Sequence, residues 1–136
     1  MNSAGMQTGP GEAGHRVLVV DDNQDAAESL SLLLDMMGNE AHIAYDGLQA
    51  LEMAAALKPD IVLLDIGLPV LNGHDTARRM RADSTMDNVV LVALTGWGEA
   101  EDRRRSREAG FDYHLVKPVQ IEDLEKILAH PVRVAA

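Results

Sequence analysis

Residues 61–73 read IVLLDIGLPVLNG, and the fold turns on how the first five are taken. Ile61 to Asp65 is an unbroken apolar run stopped by a carboxylate, with glycine and proline close behind. Such a run suits a strand buried on both faces of a parallel sheet. Two more stretches share this form. RVLVV (Arg16 to Val20) ends in Asp21-Asp22, and VVLVAL (Val89 to Leu94) ends in Thr95. Two weaker runs, AHIA (Ala41 to Ala44) and YHLV (Tyr113 to Val116), read as flanking strands, the second followed by Lys117-Pro118.

Helical spacing fills the intervals. Leu30, Leu33, Leu34 and Met37 recur at i, i+3, i+4 and i+7, with Gly38 as a stop. Asp46 is placed to cap a second helix through Leu48, Leu51 and Ala55, which Lys58-Pro59 ends. A third follows Gly73 and carries Ala77 and Met80. The segment Glu99 to Ala109 is nearly all polar, so it is expected to bury a thin stripe and pack least firmly before Gly110 closes it. A last helix runs from Ile121 through Leu124, Ile127 and Leu128 to Ala129, ahead of Pro131. Met36, Met37, Met53 and Met80 are read as core or near-core filler. Five βα repeats with short links imply right-handed crossovers and a doubly wound parallel sheet covered on both faces.

Composition narrows the function. The 136 residues suffice for one domain, read as a Gly/Ser/Thr-rich leader or linker over 1–14, a folded unit over 15–130 and a tail over 131–136. Cys 0 excludes disulfide frameworks, thiolate metal sites and cysteine nucleophiles. Asp+Glu 22 against Lys+Arg 12 gives a net charge of −10, which argues against nucleic-acid or anionic-membrane partners and suits cations. No stretch approaches the roughly 18 apolar residues of a membrane span and the leader lacks an apolar signal core, so a cytoplasmic protein is expected.

In open α/β sheets the ligand site lies beyond the carboxyl ends of the strands. Asp21, Asp22, Asp65, Thr95 and Lys117 would therefore converge on one sheet edge. A lone aspartate at a strand end is usually a cap or turn former, but the joint spacing points to a shared site. Clustered carboxylates stay ionised together only with a cation, and an all-oxygen donor set favours Mg²⁺ or Mn²⁺ over zinc or copper. A lysine and a hydroxyl beside them suit phosphoryl transfer, with an aspartate as nucleophile.

These residues closely resemble the receiver domain of two-component response regulators, over Arg16 to about Ala129. The match includes LLDIGLPVLNGHD (Leu63 to Asp75) with Pro69 and Gly73, and also Leu94-Thr95-Gly96 and Val116-Lys117-Pro118. REAGFDYHLVKPV (Arg107 to Val119) is similar to the terminal receivers of hybrid sensor histidine kinases. The resemblance implies a flavodoxin-like (βα)5 fold with strand order 2-1-3-4-5. By the same resemblance, Asp65 would accept a phosphoryl group from a phosphohistidine on a histidine kinase or phosphotransfer protein. Asp21 and Asp22 would hold Mg²⁺ with Asp65 and the Gly67 carbonyl, while Thr95 would bond a phosphoryl oxygen after transfer and Lys117 would pair with Asp65 and then with the phosphate. The Lys117-Pro118 bond would be cis. His114 stands where many receivers carry an aromatic switch residue, and Gly67 and Trp97 would flank the phosphoryl group, with Trp97 partly shielding it.

A signalling switch is thus implied, catalysing only its own phosphorylation and dephosphorylation and acting through an unidentified protein target, with dimerisation on phosphorylation an open option. Arg103, Arg104, Arg105 and Arg107 read as a solvated face or as a dock for an acidic partner. Competing readings are a pseudo-receiver and an aspartyl-phosphate hydrolase, which would place a second acid where Gly67 stands. A flavodoxin-like cofactor carrier is weaker, because no phosphate-cradling loop follows the first strand.

Overall fold

The computed structural model describes residues 14–96 and 100–134, with the side chains of 100–102 outside that description. In chain order the elements are β1 (Arg16–Val20), α1 (Gln24–Met36), β2 (Glu40–Ala44), α2 (Gly47–Leu57) and β3 (Ile61–Asp65). There follow α3 (Gly73–Ala82), a 3₁₀ turn (Ser84–Met86), β4 (Val90–Thr95), α4 (Ala100–Ala109), β5 (Tyr113–Val116) and α5 (Ile121–Ala129). All strand pairings are parallel, and the sheet runs β2-β1-β3-β4-β5, the order 2-1-3-4-5. Among the described residues no helix is long and apolar enough to cross a membrane.

The continuous apolar strands are explained by a sheet with two covered faces. Successive side chains of a strand point to opposite faces, so Leu18, Val20, Val62, Leu64 and Leu91 enter one core with Ala54, Ala77 and Met80. Val17, Val19, Ile61, Leu63 and Val92 enter the other with Leu34, Leu124 and Leu128. Each fully buried leucine contributes about 1.5–3 kcal/mol, which lets strands of this kind dominate the fold.

The helices start where short polar side chains satisfy free N–H groups. Asn23 accepts from Ala26 N, Asp46 from Gln49 N and Asn72 from Asp75 N. At the far end of α4, Gly110 takes φ 108, where an added Cβ would stand 2.6 Å from Arg81 Cγ.

Three expectations need correction. In α2 the buried residues are Gly47, Ala50 and Ala54, with Leu51 and Met53 against the core, whereas Leu48 and Ala55 face outward. Small residues let this helix sit close to the sheet, and that rotates the larger Leu48 to the rim. Met36 is 76% exposed rather than core filler, because α1 buries Ala27 and Leu34, and Met36 lies off that face. The third strand-like run begins one residue late, at Val90, since Val89 still bonds back to Met86 O at the end of the 3₁₀ turn. As expected, the described side chains of α4 bury a thin stripe, Ser106 and Ala109.

One network went unnoticed in the sequence. The Asp112 side chain is 0% exposed and accepts from Arg81 Nη2 at 2.7 Å and Leu91 N at 2.9 Å through Oδ2. Its Oδ1 accepts from Val134 N at 2.9 Å, and Arg133 donates to Asp87 O at 2.7 Å. Residues beyond α5 are thereby tied under β4. Arg81 also donates to Gly110 O and Val89 O. Burial pulls its guanidinium below the usual arginine range, and the neighbouring Asp112 carboxylate works against that.

Candidate metal and phosphoryl site

The strand ends assemble the site by register. Val20 pairs with Leu64 and Asp65 with Leu94, so Asp21, Asp65 and Thr95 emerge along one edge. Asp21 is 3% exposed and Thr95 2%, while Asp22 is exposed. Asp21, Asp22 and Asp65 each offer a carboxylate oxygen, and these oxygens lie within 4.8 Å of one another.

Lys117 reaches in from the end of β5. Its Nζ donates to Asp21 Oδ2 at 3.0 Å and to Asp65 Oδ2 at 3.1 Å, and its own N–H donates to Thr95 O at 2.7 Å. The Lys117-Pro118 bond is cis. The other oxygen of each buried carboxylate is also engaged: Asp21 Oδ1 accepts from Asn23 N at 3.0 Å and Asp65 Oδ1 from Gly67 N at 2.9 Å. Both groups are therefore fixed in orientation before any ligand arrives.

Desolvation works to lower the Lys117 pKa, but the hydrogen bonds and charges of Asp21 and Asp65 outweigh it and hold the ammonium above the ordinary 10.5. A group whose pKa is raised by folding contributes stability that is full below its unfolded value and is lost as pH rises through the folded one. Metal-free protein is thus expected to keep this contribution up to about pH 10.5 and lose it above. Urea midpoints from about pH 10 to pH 11.5 should fall more steeply for the wild type than for Lys117→Met, and parallel slopes would disprove the coupling.

The donor set suits a hard divalent cation. Three carboxylates face a single ammonium, every candidate ligand is oxygen, and the exposed Gly67 backbone lies beside Asp65. Thr95 is buried at the strand end next to these groups, and Pro118 is exposed on the rim. An apolar hollow of about 520 Å³ opens beside Asp21 and Lys117, lined also by Leu30, Leu33, Leu94 and Pro118.

Of the expected tuning positions His114 and Trp97, His114 falls among the described residues. His114 is half-buried in edge strand β5, on the face opposite Tyr113 and Leu115, which pack toward α5. Trp97 lies outside the described residues. The buried Arg81–Asp112 pair, missed in the sequence, sits at the opposite ends of the strands and holds the frame rather than the site.

The sequence profile of the response regulator receiver domain matches residues 17–129. The chain is 38% identical over 109 residues to the response regulator MprA of Mycobacterium ulcerans, covering 80% of this chain and 46% of that one. It is 30% identical, also over 109 residues, to the DNA-binding dual master transcriptional regulator RpaA of Synechocystis, covering 80% and 45%. The chain thus spans about half the length of these curated relatives. Among solved structures, the Vibrio cholerae chemotaxis protein CheY4 superposes with a TM-score of 0.79 at 30% identity, over 83% of this chain and 94% of that one. The receiver domain of the Pseudomonas aeruginosa sensor histidine kinase PA1611, with a magnesium ion in its active-site cleft, gives 0.78 at 32% identity, over 85% and 94%.

Proposed function

The chain belongs to the response regulator receiver family, and from that premise we propose that it takes a phosphoryl group from a phosphohistidine onto Asp65 in a Mg²⁺-dependent reaction. One observation carries the reading: Lys117 bonds both Asp21 and Asp65 while Asp22 completes a carboxylate cluster around the same point. We take residues 15–130 as the receiver unit, with the strand-end residues as its working parts.

Asp65 is the nucleophile. Its carboxylate, oriented by Gly67 N and Lys117 Nζ, forms an O–P bond as the P–N bond to the donor histidine breaks. Lys117 then follows the negative charge from the carboxylate to the phosphoryl oxygens, and the Thr95 hydroxyl donates to one of them. Asp21, Asp22 and Asp65, with the Gly67 carbonyl, would hold Mg²⁺, or Mn²⁺ in its place. When bound, the ion supplies positive charge to the phosphoryl oxygens in flight. A histidine kinase or phosphotransfer protein is the proposed donor, and a downstream protein, or a second phosphorylated copy, the proposed reader. Gly67 provides no acid for ester hydrolysis, which leaves transfer to the chain itself as the favoured chemistry.

Intact mass after incubation with acetyl phosphate tests this. One phosphoryl group should appear with Mg²⁺ and none with a chelator. Modification that ignores the chelator, or none under either condition, would overturn the proposal.

A further inference from the structure

Helix α4 is held by little apolar surface. Among the described side chains, α5 buries Leu124, Ile127 and Leu128 and α3 buries Ala77 and Met80, whereas α4 buries only Ser106 and Ala109. Two small residues give little apolar contact, so a single polar contact can decide where the helix rests. That contact is present. Ser106 is 2% exposed, and its hydroxyl shares a hydrogen bond of 3.4 Å with His74 Nε2 on α3, longer than the common range.

His74 is fixed more firmly than its partner. It stands edge-on to the buried Phe111, with ring centres 6.2 Å apart and planes at 82°. It also follows Gly73, whose N–H donates to Ile66 O at 3.1 Å and where an added Cβ would stand 2.5 Å from Asp65 O. The histidine is thereby tied to the backbone around Asp65, and α4 is the freer side of the contact. It has room to move. On its β5 flank Ser106 borders a hollow of about 270 Å³, lined also by Arg103, Arg107 and His114. Close packing blocks a helix from shifting elsewhere in a core, and this open flank permits it.

We infer that His74 is the positioning residue of α4: its hydrogen bond to Ser106 holds the helix against α3 in the unmodified protein, and modification of Asp65 breaks it, so that α4 shifts over β5. This rests on the reading of Asp65 as acceptor, with Thr95 bonding the transferred phosphoryl group. Thr95 is the last residue of β4, the strand that leads into α4. Drawing its hydroxyl to a phosphoryl oxygen displaces the chain that enters α4, while Gly73 keeps His74 in place. The contact is pulled from one end and anchored at the other, and packed elements respond by moving between discrete positions.

Amide hydrogen exchange over residues 103–109 tests this, in the wild type, Ser106→Ala, His74→Leu and His74→Gln, each with Mg²⁺ alone and with Mg²⁺ and beryllofluoride, a mimic of the acyl phosphate. With Mg²⁺ alone, Ser106→Ala and His74→Leu should exchange their α4 amides about fivefold faster than the wild type, the scale of one hydrogen bond. Amides of β1 and β3 should keep the wild-type rate. His74→Gln restores a polar atom near the Nε2 position and should stay close to the wild type. Beryllofluoride should raise wild-type α4 to the rate of Ser106→Ala and add little in that variant. Wild-type α4 rates in either Ser106→Ala or His74→Leu overturn the inference. So does an equal rise across the whole domain, which marks a purely structural role, or a wild type that binds beryllofluoride, seen as a new fluorine resonance, with α4 unchanged. Absence of that resonance removes the acceptor reading and this inference with it, a failure that the exchange rates of the variants alone do not produce.

Discussion

Asp65→Asn should remain unmodified under conditions in which the wild type gains a phosphoryl group. The amide nitrogen and oxygen are poor nucleophiles toward phosphorus, and no second carboxylate can stand in without rearrangement. Asp21 is 4% exposed in its side chain, with one oxygen bound to Asn23 N and the other to Lys117. Asp22 is exposed at the turn into α1, and Lys117 orients Asp65 and Asp21 by hydrogen bonds. The same change removes one of three negative charges from the cluster, so Mg²⁺ affinity should drop by roughly tenfold or more. Intact mass reads the first effect and calorimetric titration with Mg²⁺ the second. A phosphorylated asparagine variant would show that the acceptor lies elsewhere.

The second large effect is expected far from the site. Asp112→Ala should destabilise the domain by roughly 3–5 kcal/mol, the range for removing one partner of a buried ion pair. Arg81 would lose its counter-charge at a position where its side chain is only 14% exposed. Leu91 N and Val134 N would lose their acceptors at the same time. Asp112→Asn keeps one acceptor oxygen and should lose less. Urea unfolding at unchanged m-value is the measurement, and a midpoint close to the wild type for the alanine variant would mean that the network contributes little.

Much of the architecture was legible because its signals are local. A strand buried on both faces must be apolar at every position, so IVLLD and RVLVV announce themselves without reference to anything distant. Helix ends are equally local: Asp46 caps α2 as its position suggested. The site was legible for a related reason, since parallel strands bring their carboxyl ends to one edge and the polar residues there stand out against apolar runs. The rotation of α2 was not, because Leu48 and Ala55 fit a helical stripe as well as Ala50 and Ala54 do. Only the close seat of small residues against the sheet chooses between them. Met36 misled for the same reason: apolar character marks a residue as able to be buried, not as buried.

By itself, then, the chain's order of residues determined the five parallel strands and which side chains stand at their ends, since alternation, caps and breakers act over a few residues. Tertiary structure alone decided that Lys117, expected to pair with Asp65, also reaches Asp21 across 96 positions of chain. It likewise decided that Asp112 gathers Arg81, Leu91 and Val134. Those outcomes depend on distances between segments remote in sequence, and such distances exist only once the sheet has set their register.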